Sequence, residues 1–143
     1  MIENAGEIAR KCEQWGMPLL AMVYPRGRNI KDSFDVDAIK TCARVAAELG
    51  ADIAKVSYTG DIDSFREVTR GAQIPVVIAG GPKMESDLDM LTMVRDSLDA
   101  GGKGASIGRN IFQHKDITGI TKAVSDIVLN DASVEDALKH LKA

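Results

Sequence analysis

The sequence predicts an α/β fold built on a parallel sheet, and three observations carry that prediction. Short apolar runs alternate with amphipathic helical stretches along the chain, in the order α-βα-βα-βα-βα plus a terminal helix. The runs read as apolar on both faces, which suits strands covered on both sides. No two runs are joined by a tight hairpin turn, so each connection is expected to be a right-handed crossover. Two arrangements satisfy this pattern: an open doubly wound sheet, or part of a (β/α) barrel. With 143 residues, a single domain spanning 1–143 is the default.

The first helix is expected over residues 2–15. Ile2, Ala5, Ile8, Ala9 and Cys12 recur there at helical spacing, Trp15 closes the pattern, and Gly16 sits where a C-cap glycine belongs. The first strand is expected over 18–24, a continuous apolar run that stops at Pro25, which cannot continue a central strand. A loop follows that is basic at first, with Arg26, Arg28 and Lys31. Residues 35–49 are helical by the spacing of Val36, Ile39, Ala43, Ala46 and Ala47, with Gly50 as the stop. The second strand, 52–58, leads into a short helix from Asp61 to about Arg70, whose first turn is acidic as the helix dipole favours. The third strand, 75–79, is stopped by Gly80-Gly81-Pro82. Ser86 is the expected N-cap of a helix reaching Ala100 through Leu88, Leu91, Val94 and Leu98, and Gly101-Gly102 breaks it. The fourth strand, 103–107, ends in Gly108-Arg109-Asn110. A helix over 116–129 and a final short one over 133–142 complete the chain, with Asp131-Ala132-Ser133 carrying the turn and cap chemistry between them.

Composition narrows the function. The net charge of −3 and the lack of a basic run argue against a nucleic-acid surface. No apolar stretch approaches the ~20 residues that span a bilayer, and Met1 to Glu7 lack the basic and apolar regions of a signal peptide. Cys12 and Cys42 both fall in predicted helices without a CxxC partner or a nearby histidine. They read as reduced thiols of a cytoplasmic protein. Aromatic content is only 4%, so the core must be mainly aliphatic.

In either arrangement, functional groups gather at the C-terminal ends of the strands. The second strand carries Lys55 in its middle, flanked by apolar residues. Lysine is almost never fully buried unless it is paired or used. One reading is a reactive amine, which attacks carbonyls only when neutral and so needs desolvation or neighbouring cations. The other is an edge-strand lysine whose head reaches water. Tyr24 ends the preceding strand, either as a proton donor and acceptor beside Lys55 or as a packing residue. Gly80-Gly81 and Gly108-Arg109 end the last two strands. Glycines at both of these ends, with an arginine, favour a phosphate cradle over simple chain turns. His114 and His140 read as solvated.

The motifs at these strand ends resemble a known family. Tyr24-Pro25-Arg26-Gly27, Ala51-Asp52-Ile53-Ala54-Lys55 with Tyr58-Thr59-Gly60-Asp61, Ala79-Gly80-Gly81-Pro82-Lys83 and Gly108-Arg109-Asn110-Ile111-Phe112-Gln113 are similar to those of the archaeal-type class I aldolases. That family contains fructose-bisphosphate aldolases and 2-amino-3,7-dideoxy-D-threo-hept-6-ulosonate synthases. The motifs keep the family's order and spacing and cover essentially the whole chain. Gly60 to Phe65 and Asn110 to His114 look most like the heptulosonate synthases.

The resemblance implies a set of roles. Lys55 corresponds to the Schiff-base lysine and Tyr24 to the proton-transfer tyrosine. Gly80, Gly81, Gly108 and Arg109 correspond to phosphate ligands, and Arg26 to a further polar contact with the substrate. The implied substrate is a phosphorylated ketose. The implied acceptor, in a synthase, is L-aspartate semialdehyde. No metal or other cofactor is implied, because the iminium is the electron sink. The family fold is an eight-stranded TIM barrel, which typically takes ~250 residues. This chain therefore corresponds to a half-barrel: the last four strands with their helices, preceded by the helix before the fifth strand. The family's first-strand aspartate has no counterpart in it. The implied function is Schiff-base aldolase or transaldolase chemistry in aromatic amino acid precursor synthesis, dependent on completing the barrel. Fructose-bisphosphate aldolase activity is the alternative substrate reading. A catalytically inactive half-barrel that oligomerises and binds phosphate is the alternative of another class. Open sheet edges invite pairing, so a homo-oligomer or a complementary N-terminal half is the expected partner.

Overall fold

The structure is a computed structural model and describes residues 1–141. Four strands, β1 (Leu20–Met22), β2 (Ile53–Val56), β3 (Val76–Ala79) and β4 (Ala105–Ser106), form one sheet in the order β1-β2-β3-β4. Every neighbouring pair is parallel. The sequential order, with no reversal, decides between the two arrangements. A doubly wound sheet changes strand order at its switch point and carries helices on both faces, whereas these strands follow one another as in a (β/α) barrel.

The helices are α1 (Ile2–Trp15), α2 (Val36–Glu48), α3 (Ile62–Ala72), α4 (Asp87–Asp99), α5 (Arg109–Phe112), α6 (Ile117–Asn130) and α7 (Val134–Leu138). Their starts follow local chemistry. Asp35, Asp61, Ser86, Asp116 and Ser133 each accept a backbone N–H from the first turn of the helix they precede. Gly16 ends α1 in the left-handed conformation, φ 61°, as its position predicts. The final helix is shorter than the expected 133–142, and residue 142 lies outside the described residues.

The expectation of strands covered on both faces is corrected. Val56 of β2 and Val76 and Ile78 of β3 are buried against Ile39, Phe65, Val68, Leu91, Val94, Ile120 and Ile127 of the helices, whereas Ala54 of β2 is buried against Ala46 and Ala51. Ile53, Lys55 and Val77 alternate with them on the opposite, inner face and are only partly buried. On β1 that inner face is open: Leu20 and Met22 are 39% and 65% exposed. The strands are also shorter than expected. Apolar residues continue beyond the hydrogen-bonded ladder at both ends, so an apolar run overstates the strand. Around β4, Gly104 has a positive φ of 152°, and α5 begins directly after Gly108.

Candidate active site at the strand ends

A cleft of about 540 Å³ opens at the C-terminal ends of the four strands. Tyr24, Arg26, Lys55, Gly80, Gly81, Gly108 and Arg109 all line it. The structure therefore brings every candidate residue of the sequence reading to one place. A larger hollow, about 690 Å³, lies between α1 and the turn from α2 to β2, and none of these residues lines it.

Strand register positions the chemistry. Met22 pairs with Lys55 and Lys55 with Val77, so these three share one row of the inner face. Lys55 is half-buried, flanked by strands on both sides and so not on an edge. Among the described residues no carboxylate pairs with it. Tyr24 lies two residues beyond Met22, on the same face and one row nearer the cleft mouth. The backbone N–H of Val23 still donates to the Lys55 carbonyl at 3.0 Å, which keeps this register beyond β1. Burial pushes the Tyr24 phenol above its ordinary range, so it holds its proton at neutral pH.

The other side of the cleft is a built corner. A guanidinium nitrogen of Arg109 donates to the Gly81 carbonyl at 2.9 Å. Gly81 has φ 63°, a conformation that favours glycine. Gly80 is required for space: a Cβ there would lie 2.6 Å from Ile107 Cγ2. The residue that ties this corner together is Asn110, which the sequence reading named at the strand end without giving it a role. It is 5% exposed, donates to the carbonyls of Gly80 (2.7 Å) and Pro82 (3.0 Å), and accepts the Met84 N–H at 2.6 Å. Lys83 reaches the Gln113 carbonyl at 3.1 Å, a further tie between the two loops. Ser33, Phe34, Ser57 and Ser106 also line the cleft without having been singled out.

The two histidines differ. His140 is exposed, as expected, and meets Asp126 at 3.1 Å. His114 is not solvated, which corrects the reading from sequence. Its Nε2 lies 3.0 Å from Asp87 in the first turn of α4, and its Nδ1 accepts the Asp116 N–H at 3.0 Å. Cys12 and Cys42 are free thiols, and burial pushes the Cys42 thiol up. Among the described residues no helix is long and apolar enough to cross a membrane.

Known proteins are similar to this chain in sequence and fold. The profile of the DeoC/LacD family aldolases matches residues 1–114. The 2-amino-4,5-dihydroxy-6-oxo-7-(phosphonooxy)heptanoate synthase of Streptomyces griseus is 36% identical over 132 residues, which are 92% of this chain and 48% of that protein. The 2-amino-3,7-dideoxy-D-threo-hept-6-ulosonate synthase 1 of Archaeoglobus fulgidus is 41% identical over 141 residues, 97% of this chain and 51% of that one. An archaeal fructose-1,6-bisphosphate aldolase, solved with its catalytic lysine covalently bound to the carbinolamine intermediate, superposes with a TM-score of 0.86 at 33% identity, over 90% of this chain and 51% of its own. The chain thus spans about half the length of the curated relatives it matches. A parallel four-stranded sheet with its charged groups at the strand ends, matched by the family profile over most of its length, places the chain in the DeoC/LacD aldolase family.

Proposed function

We propose that the chain carries the Schiff-base half of a class I aldolase or transaldolase acting on phosphorylated ketoses, most like the heptulosonate synthases. One observation carries the reading. Lys55 and Tyr24 stand on neighbouring strands in adjacent rows, in the same cleft as the corner made by Gly80, Gly81, Gly108 and Arg109. The relatives support it, since two are heptanoate or heptulosonate synthases and a third is an aldolase with a lysine-bound intermediate.

The chemistry follows from the positions. The Lys55 amine adds to the ketone carbon, and loss of water leaves an iminium. The C3–C4 bond then breaks, its electron pair flowing toward the iminium nitrogen to give an enamine, while the C4 hydroxyl loses its proton and departs as an aldehyde. In the joining direction the enamine carbon attacks an acceptor aldehyde, and the Tyr24 phenol gives its proton to the new alkoxide. L-Aspartate semialdehyde is the acceptor if the parallel with the synthases holds, and fructose 1,6-bisphosphate is the alternative substrate. The phosphate is held by the Gly81 and Gly108 backbone and by Arg109, with Arg26 at the rim. The reading includes closure of the barrel, by a second copy or by a complementary N-terminal half, because one wall of the cleft is missing from these four strands.

Borohydride reduction in the presence of dihydroxyacetone phosphate tests it. The expected result is a covalent adduct on the Lys55 peptide by mass spectrometry, lost in Lys55→Ala. A label elsewhere, or none when the barrel is completed, sinks the assignment. The open inner face at Leu20 and Met22 favours a second reading, a half-barrel that associates and binds phosphate without turnover. Phosphate binding without a Lys55 adduct distinguishes it.

A further inference from the structure

The row of side chains above Lys55 differs in character from the row that contains it. Extending the register places Tyr24, Ser57, Ala79 and Ser106 side by side across the four strands, with Ala79 and Ser106 a direct pair. Rows on one face are about 6.6 Å apart, a rise that the four-carbon stem of Lys55 covers. The amine thus has the reach to meet this second row, whose Tyr24 and Ser57 line the same cleft. Neighbouring strands are about 4.8 Å apart, so Ser57 stands within one strand spacing of both Tyr24 and Ala79.

Ser57 lines the cleft and is partly exposed within it. Among the described residues its hydroxyl is bonded to no protein group. Other serines of this chain use theirs on the fold: Ser64 and Ser97 donate to backbone carbonyls, and Ser86 and Ser133 accept helix N–H groups. The cleft is also polarised from side to side. The phosphate corner sits over β3 and β4, whereas Tyr24 and Ser57 sit over β1 and β2. A ketose phosphate held at that corner, with its carbonyl at Lys55, points its other arm toward Ser57. The methyl of Ala79 leaves the space between them open.

We infer that Ser57 is a specificity-determining residue, its hydroxyl hydrogen-bonding the hydroxyl on the carbon next to the imine carbon, on the side away from the phosphate. The site then selects α-hydroxyketone phosphates over their deoxy counterparts, because a deoxy arm leaves the serine unpaired. This rests on the reading of Lys55 as the imine-forming residue.

The test compares two probes that differ only in that hydroxyl: dihydroxyacetone phosphate and acetol phosphate. Initial rates of borohydride trapping at Lys55 are measured against probe concentration for the wild-type chain, Ser57→Ala and Ser57→Thr. Ser57→Ala is expected to raise the half-saturating concentration of dihydroxyacetone phosphate by about 3- to 10-fold, the effect of one neutral hydrogen bond. Acetol phosphate is expected to stay unchanged, and Ser57→Thr to keep the wild-type preference. Equal shifts for both probes, or no shift for either, overturn the inference while leaving the imine reading intact. Absence of any Lys55 adduct with both probes when the barrel is completed overturns the imine reading, and this inference with it.

Discussion

Tyr58 shows what a single residue can cost. Its ring is 9% exposed and meets Phe65 edge-on at 5.2 Å, yet its hydroxyl is buried without a hydrogen-bond partner among the described residues. Burial, then the charges of Asp96, Asp61 and Asp99, push its pKa from the ordinary 10 up to about 12. A group raised in the folded state contributes stability that is complete below its unfolded pKa and is lost as pH climbs through the folded one. For Tyr58 that window runs from about pH 10 to about pH 12. Tyr58→Phe is therefore expected to match or exceed the wild type at pH 7, by up to about 1 kcal/mol, since it removes an unpaired buried hydroxyl. It is also expected to flatten the loss of stability above pH 10. Urea unfolding at pH 7 and pH 11 checks both, and a large destabilisation at pH 7 would show a partner for that hydroxyl. At this scale the sequence is uneven. Lys55 was legible because it is a charge in the middle of a strand, flanked by apolar residues. Asn110 and Ser57 were not, because amides and hydroxyls are common, and theirs gain meaning only from strands brought together by the fold.

Elements were legible where their signals are local. Gly16, Ser86 and Ser133 act within three or four residues of themselves, and each is found at the helix end its type predicts. The four-residue α5 was missed because one turn has no periodicity to detect. His114 was misread because its partner, Asp87, comes from another part of the chain. Gly119, in the first turn of α6, shows how closely these elements meet. A Cβ there would lie 2.7 Å from the His140 carbonyl and would also strike the Asp116 carboxylate that caps the helix. Alanine is normally favoured over glycine within a helix by up to about 1 kcal/mol. Here Gly119→Ala is expected to destabilise instead, by roughly 1–3 kcal/mol as overpacked sites do, read as a lower urea midpoint. An unchanged midpoint would mean that the backbone at His140 gives way to the added methyl.

At the scale of the whole molecule the sheet is unfinished. Ile53 donates to the Leu19 carbonyl at 3.2 Å and Val23 donates to the Lys55 carbonyl at 3.0 Å. The alternate residues Leu20 and Met22 therefore turn their backbone groups toward an open edge. Ile8 and Trp15 of α1 are exposed as well, at 54% and 77%. Such an edge beside an uncovered apolar face is expected to associate. Size-exclusion chromatography with light scattering should find species above the monomer mass, and Met22→Lys on the inner face should shift them toward it. A well-folded monomer at low concentration would overturn the closure. The alternation of strand and helix, and hence the parallel sheet, was legible from the sequence; the bare inner face was not, because apolar residues on both sides of a strand look the same whether or not a partner covers them. One consequence follows from the strand order. Lys55, Tyr24 and the glycine–arginine corner all come from four consecutive strands, so the pocket proposed for the nucleophile is a single inheritance unit. On the proposed Schiff-base reading, whatever closes the opposite wall acts mainly on the electrophile. If that reading holds, exchanging the wall should retune which aldehyde is accepted while the grip on the phosphorylated ketose stays constant, so two specificities of one reaction can evolve at separate rates.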